Sequence, residues 1–171
     1  MEDTSSFWSA LGSIITALVT LGLYCLASEQ LNKIKEVNSA DFLHRLLNDL
    51  GKNSKSIDIV RDLKKNDLMF TLVNDLAFFS TSTIPQKYDS SDFNETVLNP
   101  LELVAIYEKK GLIDISMVYE TCDAYLRLVW EHETIKEYID WVRSRPRSSD
   151  CYDAMEELYI KLINYGNAKI Q

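Results

Sequence analysis

The sequence predicts an all-α protein with one N-terminal transmembrane helix followed by a cytoplasmic helical bundle. Three observations predict it. FWSALGSIITALVTLGLYCLA, Phe7 to Ala27, is 21 residues without a charge. After residue 28 apolar residues recur at helical spacing, with no sustained period-two alternation. The three glycines beyond the apolar run, Gly51, Gly111 and Gly166, stand where those periodic segments end. The chain thus divides into a membrane segment, 1–28, and a helical domain, 29–171.

At about 1.5 Å per residue the first segment is about 30 Å long, the thickness of the hydrocarbon layer. A cleavable signal peptide would want a positive start, a shorter apolar run and a small-x-small site, whereas the chain begins Met-Glu-Asp. Gly-Leu-Tyr before Cys25 is a poor lipoprotein signal. Lys33, Lys35 and Arg45 lie on one flank and only Glu2 and Asp3 on the other. Positive residues stay inside, which predicts a single-pass bacterial inner-membrane protein with its N-terminus outside and its C-terminal domain cytoplasmic.

Within that helix Ser9, Ser13, Thr16, Thr20, Tyr24 and Ala27 fall in an arc of about 80°. Leu11, Ile14, Ile15, Leu18, Val19, Leu21 and Leu26 occupy the other faces. Positions 9, 13, 16, 20, 23 and 27 alternate steps of four and three, the pattern of a heptad seam. Hydroxyls and small side chains on one side of a span permit close approach and interhelical hydrogen bonds, so the helix is expected to self-associate. Two outcomes fit: a tightly packed dimer or small bundle, or three or more helices whose hydroxyls line a narrow pore. Serine and threonine also bond their own i−4 carbonyl, so hydroxyls alone do not demand water. Packing seams are the commoner outcome.

The helical domain then unfolds in order. Leu31, Ile34, Phe42, Leu43, Leu46, Leu47 and Leu50 extend the first helix to Gly51, with a break expected near Asn38-Ser39. A second helix is expected from Ser56 through Ile57, Val60, Leu63, Leu68 and Leu72 toward Phe78 and Phe79. STSTIPQKYDSSD, from Ser80, is rich in turn formers and reads as a loop. Asn99-Pro100-Leu101-Glu102 reads as a capping box opening a helix that stops at Lys109-Lys110-Gly111. Asp114 caps the next, which closes on Trp130; Ile135 to Val142 form another before Pro146. The last is expected from Ser149 to Gly166.

Composition excludes several functions. The 26 Asp+Glu outnumber the 18 Lys+Arg, unlike a general nucleic-acid coat. Cys25, Cys122 and Cys151 form no even framework and no metal spacing, and read as free thiols. His44 and His132 stand alone, no phosphate-cradling glycine loop exists, and no serine has the elbow context of a hydrolase. Neither catalysis nor a cofactor or metal is expected. Two basic clusters are left. Arg61, Lys64 and Lys65 share about one helix face; Arg143, Arg145 and Arg147 form a short arginine run in WVRSRPRSS. Either is a solvated face or helix-dipole compensation, or else an anion site, since arginines grip phosphates bidentately. Around an oligomer axis such clusters would be multiplied.

WSALGSIITALVTLGLY, VLNPLELVAIYEKKGLIDISMVYETCDAYLRLVWE and EYIDWVRSRP resemble a bacterial family of small single-span membrane proteins whose all-helical cytoplasmic domain is of unknown function. The resemblance covers about Trp8 to Pro146 and rests on an N-x-x-E helix start, K-G-L-I-D and a helix closing on Trp130. Proteins of this look are similar to the membrane effectors of Hailong-type anti-phage systems, encoded beside a nucleotidyltransferase. The resemblance implies an oligomeric channel, opened or held closed by a nucleotide or oligonucleotide, and it raises the pore above a tether. The expectation is therefore a homo-oligomer, with a tetramer favoured, in which Ser9, Ser13, Thr16 and Thr20 narrow the pore and Tyr24 and Ala27 sit at its cytoplasmic mouth. The alternative is a non-conducting, membrane-anchored module that recruits a cytoplasmic partner.

Overall fold

The computed structural model of the protein describes residues 3–170, except the side chains of 3–17, 47, 49–51 and 170. Contacts divide the chain into two units, Met1–Asn38 and Ser39–Gln171. The protein is mostly helical, and a single helix, α1 (Asp3–Lys52), runs through Asn38-Ser39 without the expected break. In the first unit the described side chains from Leu18 to Ile34 are all exposed. Among the described residues no helix is long and apolar enough to cross a membrane. The side chains of 7–17, half of the expected span, lie outside those residues.

In the second unit α1 supplies Leu43 to the core, and the buried Ser39 hydroxyl donates to the Leu112 carbonyl at 2.6 Å. Asn53 caps α2 (Ser54–Lys64), its side chain accepting from the Lys55 amide. At the other end Asn66 takes a left-handed φ of 53°, its amide bonding Leu63 O while the Asp67 amide reaches Asp62 O. That paired closure terminates a helix outright.

Here the all-α expectation is corrected. Residues assigned to one helix toward Phe79 form a hairpin, β1 (Leu68–Val73) with β2 (Leu76–Thr81), joined by β3 (Tyr88–Asp89) into an antiparallel sheet of order β1-β2-β3. Leu63, Leu68 and Leu72 imitate a helical stripe, but the left-handed Asn66 stops α2 before Leu68. Asn74 and Asp75, with φ of 51° and 64°, make the two-residue turn between the paired Val73 and Leu76. Positive φ at both central residues is what a type I′ hairpin requires. The expected loop from Ser80 is accordingly shortened: Ser80 and Thr81 end β2, and Tyr88-Asp89 form β3.

The sheet rests on an aromatic core. Phe79 stacks on Phe93 at 4.0 Å and meets Tyr138 edge-on at 5.1 Å; Phe70 meets Tyr138 at 5.6 Å and Trp141 at 5.8 Å. Complete burial of a phenylalanine contributes about 1.5–3 kcal/mol, so the helix Glu133–Arg143 and the sheet are fastened mainly by these rings. Thr134 adds a hydrogen bond at 2.7 Å to the Leu68 carbonyl.

Following β3, α3 (Ser90–Phe93), a π-helical turn (Asn94–Leu98) and α4 (Asn99–Lys109) run on continuously. Asn99 therefore has helical neighbours on both sides and forms no capping box, a second correction. Glu102 instead accepts from the Met155 amide. α4 does end as expected, with Gly111 at φ 66°. α5 (Ile115–Trp130) and α6 (Glu133–Arg143) follow the sequence pattern. α7 (Asp153–Ile170) starts four residues after Ser149 and continues through Gly166. Gly166 is a packing glycine rather than a stop: a Cβ there would lie 3.1 Å from Tyr119 Cε2.

Candidate functional site

Of the seam, Ser9, Ser13 and Thr16 lie outside the described side chains, and Thr20, Tyr24 and Ala27 are exposed. Large apolar neighbours are exposed with them, from Leu18 at 64% to Val37 at 67%.

The α2 cluster lies at the carboxyl end of its helix, where cations complement the dipole. Arg61 pairs with Asp58 at 2.8 Å. Lys64 and Lys65 are exposed and make no ion pair among the described residues. Other lysines nearby are engaged. Lys55 bonds Asp92, and Lys87 joins the Tyr88 hydroxyl on the buried Asp62 carboxylate, both at 2.8 Å. Burial and that carboxylate push the Tyr88 hydroxyl up to about 12.

The arginine run serves the connection between α6 and α7. Arg143 donates through Nε to Cys151 O at 3.0 Å, and through Nη2 to Asp153 and Glu156, both at 2.8 Å. Arg145 lies over the Trp141 ring at 4.3 Å and donates to Asp75 O at the hairpin turn. Arg147 is exposed in a left-handed conformation, φ 67°. Tyr152 is left-handed too, at φ 65°, and its hydroxyl shares Asn94 Oδ1 with that of Tyr138. A non-glycine residue there costs about 1–2 kcal/mol, so Arg143 and Asn94 act as the fasteners of a strained strap. The structure does not gather the three arginines into one anion site.

Arg143 does line a cleft of about 210 Å³ with Trp130, Lys136, Ile139, Asp140 and Glu156. Lys136, Ile139, Asp140 and Arg143 recur at helical spacing and so share one face of α6, while Glu156 comes from the first turn of α7. Sequence reasoning missed Lys136 and Asp140. Their spacing from Arg143 was a signal, but the opposing α7 wall was not.

Other polar groups offer little chemistry. Among the described residues no group of three or more histidine, cysteine or acidic side chains could hold a metal. Cys25 is exposed, Cys151 half-buried, and Cys122 is buried, which pushes its thiol up. The His132 ring is buried with neither nitrogen bonded among the described residues.

No curated protein and no solved structure matches the chain. A family model described as a domain of unknown function, DUF4760, matches residues 7–162. That match takes in most of α1, the sheet, the cleft and both basic clusters, and the protein therefore belongs to the DUF4760 family.

Proposed function

We propose that the protein is a homo-oligomeric channel of the bacterial inner membrane, gated at its cytoplasmic domain by a nucleotide or oligonucleotide. A partner nucleotidyltransferase would make that ligand, and the setting would be anti-phage defence, as the likeness to Hailong-type effectors suggests. One observation carries the reading. Nine large apolar side chains of α1, from Leu18 to Val37, are more than half exposed. Leu31 and Ile34, four and seven residues after Ala27, fall in the same arc as Ser9 and Thr20. In this reading they lie beyond the lipid, where exposed leucine and isoleucine are best covered by further copies of α1.

Four helices about an axis would set Ser9, Ser13, Thr16 and Thr20 toward the conduit, with Tyr24 and Ala27 at its mouth. Of the basic residues, Lys64 and Lys65 are the better phosphate contacts, with Arg61 beside them on Asp58, because Arg143 and Arg145 already hold protein acceptors. Opening would dissipate ion gradients and arrest growth.

Ion flux through liposomes holding the full chain tests this. Flux that depends on nucleotide, and that falls in Thr16→Leu and Thr20→Leu, is expected. No flux under any nucleotide, together with wild-type behaviour of both variants in cells, overturns it. Replacing 7–27 with a poly-leucine helix separates channel from anchored recruiter, since a recruiter keeps its activity after the swap.

A further inference from the structure

We propose that the cleft between α6 and α7 binds a free α-amino acid, its carboxylate taken by Lys136 and Arg143 and its ammonium by Asp140. At about 210 Å³ the cleft is smaller than the roughly 300–1,000 Å³ of sites for drug-sized ligands, and suits one small molecule. Its walls carry two cations, Lys136 and Arg143, and two anions, Asp140 and Glu156. A phosphate or polyanion entering would meet both carboxylates. A ligand with one charge of each sign meets a matching wall.

These charges are unequally occupied. Glu156 already holds Arg143 Nη2, and Nε is used by Cys151 O. Among the described residues Nη1 takes no acceptor. Lys136 and Asp140 are four apart on one helix, a spacing at which opposite charges commonly meet, yet they form no ion pair. Lys136 and Asp140 on the wall of this cleft are thus without an ion pair, and Arg143, on the same wall, keeps one guanidinium nitrogen without an acceptor among the described residues. Trp130 and Ile139 supply apolar lining for a side chain.

The site is separate from the α2 cluster assigned to nucleotide, so it stands or falls independently of the channel. The test is calorimetry on the full chain in detergent with each of the standard amino acids. At least one is expected to bind, and its decarboxylated amine and its deaminated acid are expected to bind at least about tenfold more weakly, the loss of one charged hydrogen bond. Lys136→Met and Asp140→Asn should weaken it similarly. Both side chains are exposed and carry no ion pair, so circular dichroism should show the fold retained. Absence of binding by every amino acid, equal binding of a singly charged analogue, or full binding by both variants overturns the proposal.

Discussion

The carboxylate of Glu102 in α4 accepts the backbone amide of Met155 at 2.9 Å and so closes the amino end of α7. Burial raises its carboxyl above the ordinary value, while the Met155 and Ala154 amides act the other way. A side-chain cap of this kind is worth about 0.5–2 kcal/mol. Glu102→Ala should lower the stability of the full chain by about that amount, and Glu102→Gln, which keeps an acceptor oxygen, by less. Urea melts of the two variants in one detergent give the comparison. An alanine variant as stable as wild type would show that the amide is equally well served by water.

Gly166 and Tyr119 pose a different balance. Alanine inside a helix is favoured over glycine by about 1 kcal/mol, but a Cβ at 166 would stand 3.2 Å from the Tyr119 hydroxyl oxygen. Tyr119 is itself held beside Tyr165 and under Lys169. Gly166→Ala should therefore yield little or no gain alone, and gain about 1 kcal/mol when Tyr119→Ala has removed the ring. A double-mutant cycle reads the coupling directly. Equal effects in both backgrounds would mean that the ring moves aside freely.

These two relationships also mark how far the sequence can be read. Helix ends with local causes were legible: Lys109-Lys110-Gly111 closes α4, and Trp130 closes α5. Gly166 was misread because its reason, Tyr119, lies on another helix. Asn99 and Glu102 have the spacing of a capping box, but the π-helical turn before Asn99 leaves no free helix end there to cap. The sheet was hidden by Leu63, Leu68 and Leu72, whose spacing suits a helix until Asn66 reverses the chain. Within the site, Arg143 was legible as an anion binder, but only the fold shows that Asp153 and Glu156 hold it. Lys136 and Asp140 became a candidate pair once α7 supplied the opposite wall.

The hairpin turn gives a prediction of opposite sign. Asp75 holds φ at 64°, and its side chain is 91% exposed. Arg145 bonds its carbonyl, an acceptor that any residue provides. Asp75→Gly should therefore remove left-handed strain while keeping that contact. The resulting Asn-Gly turn is favoured in type I′ hairpins, and stability should rise by about 0.5–1 kcal/mol, offset partly by the entropy of glycine in the unfolded chain. Thermal melts of the full chain measure it. A loss larger than that entropy term would place Asp75's own carboxylate in the turn's stability.

His132 makes stability depend on pH in a window of its own. It is 9% exposed at the start of α6, and neither ring nitrogen has a partner among the described residues. Burial holds its pKa below the ordinary 6.5, with Glu133 pulling the other way. In the unfolded chain the ring takes a proton near 6.5, whereas the native ring stays neutral to lower pH. Between those two values the unfolded state binds more protons, so stability falls as pH falls through the window and levels off below the native pKa. Asp67 works in a separate range: the Ser82 side chain and amide lower its pKa, so its contribution is lost only on further acidification below the ordinary 3.8. Melting temperatures of wild type and His132→Met should therefore converge or favour the variant near pH 8, where the variant no longer buries two unbonded nitrogens. Toward about pH 5 wild type should lose more stability than the variant. Parallel curves for the two proteins across that range would mean that the buried imidazole titrates alike in both states, and the acid sensitivity would then belong to the carboxylates.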